Sequence, residues 1–388
     1  HGILHSFPTR RSSDLTAGPE EARHLVEYCN HPGGTQYSDL RIAHGYPEPH
    51  AIRFWCLGNE MDGPWQICHK NAQEYGRAAL EAAKVMRWTS PGLTLAACGS
   101  SHREMPTYGA WEYEVLEHCF DEVDFISLHQ YFQNPKNDIA DFFTHVDKLD
   151  NFITEVCAIA DAVAAKRRSG KRIMLSMDEW NVWYRTRSGT DVAQPGWPRA
   201  PRLLEEHYNF EDALVVGGAL ITLINHADRV KSACLAQLVN VIGAIMTETG
   251  GPAWRQTIFH PFAQASRLAR GNVLRLVKNC GTFSAGAYSA APLLLATVVH
   301  DPDSGAVSVF ALNRSLEPMQ LSVGLRGLGS LAIAEALELH HPDLKATNTR
   351  VHPDAVSPVA HTSCAWSNGG LEATLKPLSW NVFSLRPA

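Results

Sequence analysis

The chain has 388 residues, and 45% of them are hydrophobic, so it can bury a large core and is too long for one domain of about 100–200 residues. Its formal net charge is −6, and the charged residues are not gathered into long blocks of one sign. This pattern argues against a nucleic-acid or membrane-surface partner. No apolar run reaches the ~18 residues of a membrane-spanning helix.

Residues 1–15 show neither helical nor strand periodicity. We interpret them as a non-native leader that resembles translated adapter sequence, and an ordinary flexible terminus is the alternative. Under the first interpretation the native start of the protein is absent from this sequence. The lack of an apolar signal segment then says little about export.

The chain has nine cysteines, an odd number, at wide spacings and without a Cys-x-x-Cys pair. This usage argues against a disulfide framework and against a zinc site. We therefore expect reduced thiols and a cytoplasmic location, with export left open.

From residue 16 onward, short apolar runs alternate with longer segments of helical periodicity. The predicted strands are Ala51 to Leu57, Leu93 to Cys98, Val123 to His129, Arg172 to Met177 and a weaker run, Ser232 to Leu235. The predicted helices are Pro19 to Cys29, Asn71 to Arg87, Tyr113 to Cys119, Val146 to Arg167, Leu203 to Asn225 and Phe262 to Ala269. Residues 30–50 are rich in Gly, Pro and His and are predicted to form a loop.

The alternation of strands and helices indicates βαβ units and a parallel sheet. We predict an α/β fold in which residues 16–285 form part of a (β/α)8 TIM barrel. Because such a barrel has eight strands, we expect about three βα units to precede residue 16 in the intact protein. A doubly wound open sheet is the competing interpretation, but no Gly-rich phosphate loop follows any of the strands.

The pattern changes after about residue 285, where short strand-like runs are separated by turn signals such as Asp301 to Gly305. These runs are Leu293 to His300, Ala306 to Leu312, Gln320 to Leu325, Leu331 to Leu339, Leu371 to Leu375 and Trp380 to Leu385. We predict a C-terminal antiparallel β-sandwich, jelly-roll-like, over residues 286–388.

Two acidic residues stand just past predicted strands and beside tryptophans, Glu60 before Trp65 and Glu179 before Trp180. Barrel enzymes build their active sites at the C-terminal ends of the strands. A glycosidase needs two carboxyl groups there, one to protonate the departing oxygen and one to attack the anomeric carbon or activate water. One acid among 40 Asp and Glu would mean little, but two in this setting indicate a glycosidase.

Several long strings make the prediction more specific: LGNEMDGPWQ (57–66), YGRAALEAAKVMR (75–87), ACGSS (97–101), FISLHQYF (125–132), DEWNVWY (178–184) and CLAQLVNVIGAIMTETGGPAWRQTIF (234–259). In this order they resemble glycoside hydrolase family 51, the α-L-arabinofuranosidases, and the resemblance runs from about residue 25 to the C-terminus. It implies a (β/α)8 barrel plus a β-sandwich, and retaining hydrolysis through a covalent arabinosyl-enzyme. It also implies that Glu60 is the acid/base after the fourth barrel strand and that Glu179 is the nucleophile after the seventh.

The resemblance implies further roles at the substrate. Asn59 would bind the sugar 2-hydroxyl, Tyr131 would hold the nucleophile, and Gln237 would contact sugar hydroxyls. His129 would belong to the active site, and Trp183 would line the sugar or aglycone site. For Asn59, Tyr131, His129 and Trp183 a purely structural role is the alternative, and for Asp178 a structural role at the strand end is preferred.

The expected substrates are terminal α-L-arabinofuranosyl groups of arabinan, arabinoxylan or their oligosaccharides. The mechanism requires no metal and no organic cofactor, and the resemblance implies a homo-oligomer, often a hexamer. The alternatives are another retaining barrel glycosidase, such as a β-xylosidase or endoglucanase, and a sugar-binding fragment without turnover. We expect weak activity from this chain, because the first barrel strands, which also grip the sugar in the family, have no counterpart here.

Overall fold

The computed structural model describes residues 3–4, 11–12, 18–184, 196, 198–199, 201–367 and 369–388. In chain order its first part contains β1 (Ile3–Leu4), β2 (Arg11–Ser12), α1 (Pro19–Asn30), α2 (Gln36–Ala43), β3 (Phe54–Leu57), α3 (Ala72–Thr89), β4 (Thr94–Cys98), α4 (Ala110–Cys119), β5 (Phe125–Phe132), α5 (Ile139–Lys166), β6 (Met174–Val182), α6 (Phe210–Asn225), β7 (Val230–Leu235), β8 (Ile245–Thr247), β9 (Ala253–Arg255) and α7 (Phe259–Leu268).

A parallel sheet is the centre of this first part, with the strand order β1-β7-β6-β5-β4-β3-β2. From β3 to β7 each strand pairs with the next one in the chain, so the order never reverses. A doubly wound sheet reverses its strand order at a switch point, and this sheet therefore corresponds to the singly wound arrangement. The two-residue strands β1 and β2, both within residues 1–15, pair with its two edges.

The second part is antiparallel and contains β10 (Asn272–Leu274), β11 (Thr282–Ala285), β12 (Tyr288–Pro292), β13 (Leu294–His300), β14 (Val307–Asn313), β15 (Met319–Gly324), β16 (Leu331–Leu339), β17 (Val359–Ala360), β18 (Cys364–Ser367), β19 (Gly370–Leu375) and β20 (Ser379–Pro387). A six-stranded sheet has the order β10-β13-β14-β20-β16-β17, and a three-stranded sheet has the order β15-β19-β18. Leu321 and Leu371 of the smaller sheet share a buried core with Val309 and Phe383 of the larger one. The predicted antiparallel β-structure is confirmed.

Helix α6 joins the two parts, because it packs on β6 and β7 on one side and on β13, β14 and β20 on the other. Every residue from Phe210 to Ile224 is buried, as expected for a helix between two sheets. A Cβ atom on Gly217 would lie 2.6 Å from Cε3 of Trp380, so only glycine fits against this indole ring. Arg314 adds a buried ion pair, with its Nη1 2.6 Å from Oδ2 of Asp147 on α5.

Several sequence-based boundaries need correction. Residues 30–50 are not entirely loop, since they contain helix α2. The Arg41 side chain is fully buried there and donates hydrogen bonds to the backbone carbonyls of Tyr28, His31, Pro32, Tyr46 and Pro47. Helix α5 begins at Ile139 rather than Val146, capped by Asp138. Helix α6 begins at Phe210 rather than Leu203.

A further correction concerns the active-site strand β6, which was predicted to end at Met177. It continues to Val182, so Glu179 lies within the strand rather than after it. Strand β5 likewise continues beyond His129 to Phe132. In both strands the polar residues hid the continuation, because they interrupt the apolar run from which a buried strand is predicted.

Among the described residues, no helix combines the length and the apolar character that a bilayer crossing needs.

Candidate active site

The site lies where the C-terminal ends of β3, β5 and β6 meet. Glu60 follows β3, His129 and Tyr131 lie near the end of β5, and Glu179 lies in β6. Because parallel strands direct their C-terminal ends to one edge of the sheet, these side chains face a common space. One atom of Glu60, one of His129 and one of Glu179 lie within 4.8 Å of one another. The structure thus brings together the two predicted catalytic acids.

The separation of the two acids carries chemical information. A carboxylate oxygen of Glu60 lies within 4.8 Å of one of Glu179. Retaining glycosidases hold their two carboxyl groups about 5–5.5 Å apart, whereas inverting enzymes leave about 6.5–9.5 Å for a water molecule. The close approach of these two oxygens fits the retaining arrangement and suits direct attack by one carboxylate on the sugar.

The His129 ring contacts three carboxylates. Its Nδ1 atom lies 3.0 Å from Oε1 of Glu60 and 3.3 Å from Oε2 of Glu179. Its Nε2 atom lies 3.2 Å from Oδ1 of Asp178. Burial by itself would lower the pKa of His129, but the nearby carboxylates of Asp178, Glu60 and Glu179 outweigh it and raise the pKa to about 10.

Glu60, His129 and Glu179 are residue types that can also hold a metal ion. Both ring nitrogens of His129, however, face carboxylate oxygens, and an imidazolium carries a hydrogen on each nitrogen. A protonated nitrogen has no lone pair to give to a metal. The chemistry of this cluster therefore suits a proton shared among acids better than a coordinated cation.

Glu179 has a second partner on β5. The Tyr131 hydroxyl donates a short hydrogen bond to its Oε1 atom. Trp183 packs edge-on against the Tyr131 ring, with 4.9 Å between the ring centroids. The backbone N–H of Trp183 donates to the carbonyl of Phe132 at 2.9 Å, which fixes the chain beyond β6 against the end of β5. Tyr131 thus lies beside the nucleophile candidate, and Trp183 packs against Tyr131. A role of Trp183 at the sugar or aglycone stays a prediction.

Glu60 has a partner that the sequence analysis did not assign to the site. The indole N–H of Trp65 donates to its Oε2 atom at 2.6 Å, and the ring of Trp65 stacks on His102. About half of the Trp65 surface is exposed, so an aromatic face borders the acid from the solvent side. The signal was present in the sequence, since Trp65 belongs to the same short string as Glu60.

The loop that carries Glu60 has an unusual backbone. Glu60 has φ 46°, in the left-handed region that side-chain-bearing residues rarely adopt. Gly58 precedes it with φ 104°, a conformation that favours glycine. The buried carboxylate of Asp62 anchors the loop by accepting hydrogen bonds from the backbone N–H and the hydroxyl of Ser101. The loop after β3 is thereby fixed to the loop after β4.

Comparison with known proteins agrees with this geometry. Residues 178–379 match the family model described as Alpha-L-arabinofuranosidase C-terminal domain, and residues 2–152 match that of the Alpha-L-arabinofuranosidase 1 domain. The chain is 50% identical over 371 residues to the intracellular exo-α-(1→5)-L-arabinofuranosidase 1 of Bacillus subtilis, covering 96% of this chain and 74% of that protein. The chain belongs to the α-L-arabinofuranosidases of glycoside hydrolase family 51.

Other family 51 members are similar in sequence and in structure. An exo-α-(1→6)-L-arabinofuranosidase of Bifidobacterium longum is 42% identical over 384 residues, which cover 96% of this chain and 73% of that one. The structure of the family 51 enzyme AbfB from Bifidobacterium longum superposes with a TM-score of 0.89 at 40% identity, covering 95% of this chain and 74% of that chain. An α-L-arabinofuranosidase from Thermotoga maritima, solved with arabinose, gives a TM-score of 0.80 at 31% identity, covering 94% and 73%.

Asn59 and Gln237 are the two remaining residues that the family 51 resemblance assigned to sugar binding. Asn59 directly precedes Glu60 and is half-buried. Gln237 is exposed on the segment after β7, where its backbone N–H donates to the carbonyl of Ile242 and its peptide bond to Ala236 is cis. The Gln237 side chain makes no hydrogen bond to a described residue. Sugar contacts by Asn59 and Gln237 stay predictions.

Proposed function

We propose that this chain hydrolyses terminal non-reducing α-L-arabinofuranosyl groups from arabinan, arabinoxylan or arabino-oligosaccharides, with retention of the anomeric configuration. The observation that carries the proposal is the close approach of the Glu60 and Glu179 carboxylates, within 4.8 Å. The similarity to arabinofuranosidases supports the choice of sugar. A family 51 chain with this acid pair therefore has the two carboxyl groups that a double displacement needs, one as nucleophile and one as acid/base.

In the first step Glu179 acts as nucleophile and Glu60 as acid. A carboxylate oxygen of Glu179 attacks the anomeric carbon while Glu60 gives its proton to the glycosidic oxygen, and the bond between that carbon and that oxygen breaks. The leaving alcohol departs neutral, and the arabinosyl group is held as an ester on Glu179. The Tyr131 hydroxyl, which donates to Glu179, orients the attacking carboxylate.

In the second step the negative charge is on Glu60, which acts as base. It accepts a proton from a water molecule as the water oxygen attacks the anomeric carbon. The ester bond to Glu179 breaks, arabinose leaves with its original configuration, and both acids regain their starting states. We propose that Asn59, Trp183 and Gln237 bind the sugar during this cycle.

The finer fold assignment belongs to the same proposal. We propose that β3 to β7 correspond to strands four to eight of a (β/α)8 barrel, so that Glu60 stands at the fourth and Glu179 at the seventh. The sequential parallel order of these strands supports this correspondence. The division into a barrel over residues 16–285 and a sandwich over residues 286–388 is proposed with it, although β10 already pairs with β13.

We further propose an intracellular site of action, since the Bacillus subtilis relative is named an intracellular enzyme. A homo-oligomer stays a prediction.

The test is hydrolysis of an aryl α-L-arabinofuranoside by the whole chain, with Glu179→Ala as the inactive variant. Glu317→Ala is a matched control, because Glu317 is exposed and lies in the antiparallel part, away from the acids. We expect turnover by the wild type and the control and none by Glu179→Ala. Aryl β-xylosides and β-glucosides complete the panel. A folded chain that cleaves one of these and leaves the arabinofuranoside intact would contradict the proposed substrate.

A further inference from the structure

The retaining cycle moves one negative charge between two residues, and this inference rests on that proposed cycle. Before the first step the charge is on Glu179, and in the covalent intermediate it is on Glu60. A fixed positive group that reached only one of the acids would favour one half of the cycle and oppose the other. A cation within reach of both acids could stabilise the charge in each half of the cycle.

His129 has the geometry for this task. A single ring atom, Nδ1, lies 3.0 Å from Oε1 of Glu60 and 3.3 Å from Oε2 of Glu179. One N–H group can thus hydrogen-bond to either acid with a small change in direction. The ring is almost completely buried, so little water is available to screen its charge.

The opposite side of the ring lies against Asp178, at ion-pair distance. Its Oδ1 atom lies 3.2 Å from Nε2 of His129, and its Oδ2 atom accepts a hydrogen bond from the Cys56 thiol at 3.3 Å. The two oxygens of the Asp178 carboxylate therefore have different neighbours. Oδ1 lies near His129 on β5, and Oδ2 accepts from Cys56 on β3. Asp178 is itself buried, which makes its charge an effective partner for the imidazolium.

We propose that Asp178 is a positioning residue that keeps His129 in its doubly protonated form, so that the Nδ1–H group follows the negative charge between Glu179 and Glu60 during turnover. The role acts through His129 and requires no contact between Asp178 and the sugar. It differs from a structural role at a strand end because it depends on the charge of Asp178 and not only on its shape.

Within the part of the chain that the structure describes, the other titratable groups around the cluster supply no competing cation. Tyr131 donates to Glu179, and Asp62 accepts hydrogen bonds from Ser101. Burial raises the pKa of the Cys98 thiol to about 12, so this neighbour of Asp178 stays neutral. The high pKa of His129 agrees with the proposal, since burial alone would lower it and the acids raise it.

The direct test is an NMR pH titration of the ring nitrogens in the whole chain labelled with ¹⁵N-histidine. The His129 signals are assigned by their loss in His129→Gln. We expect His129 to stay doubly protonated from about pH 5 to 9 in the wild type. In Asp178→Asn, which keeps the shape and removes the charge, we expect the ring to become neutral within that range.

Asp303→Asn is the control, because it makes the same exchange at an exposed aspartate of the antiparallel part, away from the acids. Its His129 signals should titrate as in the wild type. A neutral His129 at pH 7 in the wild type would overturn the proposal. This measurement is made on the wild type, so it stays informative even if the Asp178→Asn variant does not fold. A His129 that stays protonated in Asp178→Asn would overturn it as well. Neither NMR result depends on hydrolysis. Failure of the proposed function would appear in the hydrolysis assay, and failure of the proposed role of Asp178 would appear in the titration.

A kinetic experiment distinguishes the effect of the Asp178 charge from the effect of its shape. We expect kcat/KM of Asp178→Asn, relative to Asp303→Asn, to fall about tenfold more at pH 8 than at pH 5.5, where His129 is protonated again. A loss of the same size at both pH values would indicate a merely structural residue and would contradict the proposal.

Discussion

The Nδ1 atom of His129 lies 3.0 Å from Oε1 of Glu60, although the two residues are 69 positions apart in the chain. Strand β4 lies between the strands that carry them, so the two side chains meet over the end of that strand. The chain leaves β4 through Gly99, where an added Cβ would lie 2.2 Å from the carbonyl oxygen of Ser127. Gly99 thus lets the chain at the end of β4 approach β5 closely, next to the place where the Glu60 and His129 side chains meet.

Replacing the proposed acid/base gives a prediction that depends on the leaving group. In Glu60→Ala the loss of proton donation should slow cleavage of an arabino-oligosaccharide by about 10²–10⁴-fold. A dinitrophenyl arabinofuranoside needs little protonation, so its first step should be much less affected. Added azide should speed turnover of this substrate, because azide needs no base to attack the arabinosyl-enzyme. Equal losses on both substrates, measured as kcat/KM, would contradict the role of Glu60.

Trp65→Phe tests the hydrogen bond between the indole and Glu60. The variant keeps an aromatic ring and removes the N–H group that lies 2.6 Å from Oε2. A hydrogen bond to a charged group contributes about 1.5 kcal/mol, so we expect kcat to fall about tenfold with little change in KM. His102→Ala removes the stacked ring and retains the N–H donor, and should keep most of the kcat. A raised KM with an unchanged kcat would show that Trp65 only binds substrate.

The pH dependence of stability follows from the raised pKa of His129. A histidine whose pKa is higher in the folded than in the unfolded chain stabilises the fold fully below about pH 6.5. This contribution is lost as the pH rises toward the folded value of about 10. Urea unfolding between pH 6.5 and 10 should therefore show a steeper loss of unfolding free energy in the wild type than in His129→Gln.

His352→Gln is the control for that comparison, because His352 is exposed in the antiparallel part. It should retain the wild-type dependence on pH. Parallel curves for the wild type and His129→Gln would show that the ring is not protonated in the folded chain.

Gly217→Ala tests the packing of α6 against β20. The new methyl group would meet the buried Trp380 ring, whose Nε1 atom also donates to Gln264 at 2.7 Å and therefore cannot turn away freely. Overpacking costs about 1–3 kcal/mol, and the better helix propensity of alanine returns about 1 kcal/mol. We expect a lower free energy of unfolding in urea, with Gly170→Ala, which meets nothing within 4 Å, unchanged. A Gly217→Ala chain as stable as the wild type would contradict this packing.

The sequence was sufficient for the features that depend on local pattern. Strand Leu331–Leu339 was predicted with its observed bounds, and the strands before Glu60 and at Glu179 were found from their apolar runs. Contacts between distant residues could not be predicted in the same way. The helix Gln36–Ala43 depends on the five carbonyl contacts of Arg41, and no local period reveals them.

The same distinction applies to the site. Glu60, Glu179, His129 and Tyr131 were assigned from the strings that surround them, and the structure brings all four together. The contact between Trp65 and Glu60 depends on a left-handed backbone at Glu60, which side-chain chemistry does not predict. The contact between Asp178 and His129 depends on the register of β5 and β6, in which His129 pairs with Glu179.

The central claim is that Glu179 forms a covalent bond to the sugar with Glu60 beside it. The most direct measurement is to incubate the whole chain with a mechanism-based arabinofuranosyl inactivator and locate the added mass by peptide mass spectrometry. We expect one arabinosyl-derived adduct per chain, on Glu179, and none on the Glu179→Ala variant. An adduct on another residue, or steady hydrolysis of arabinofuranosides that yields the inverted sugar, would contradict the account.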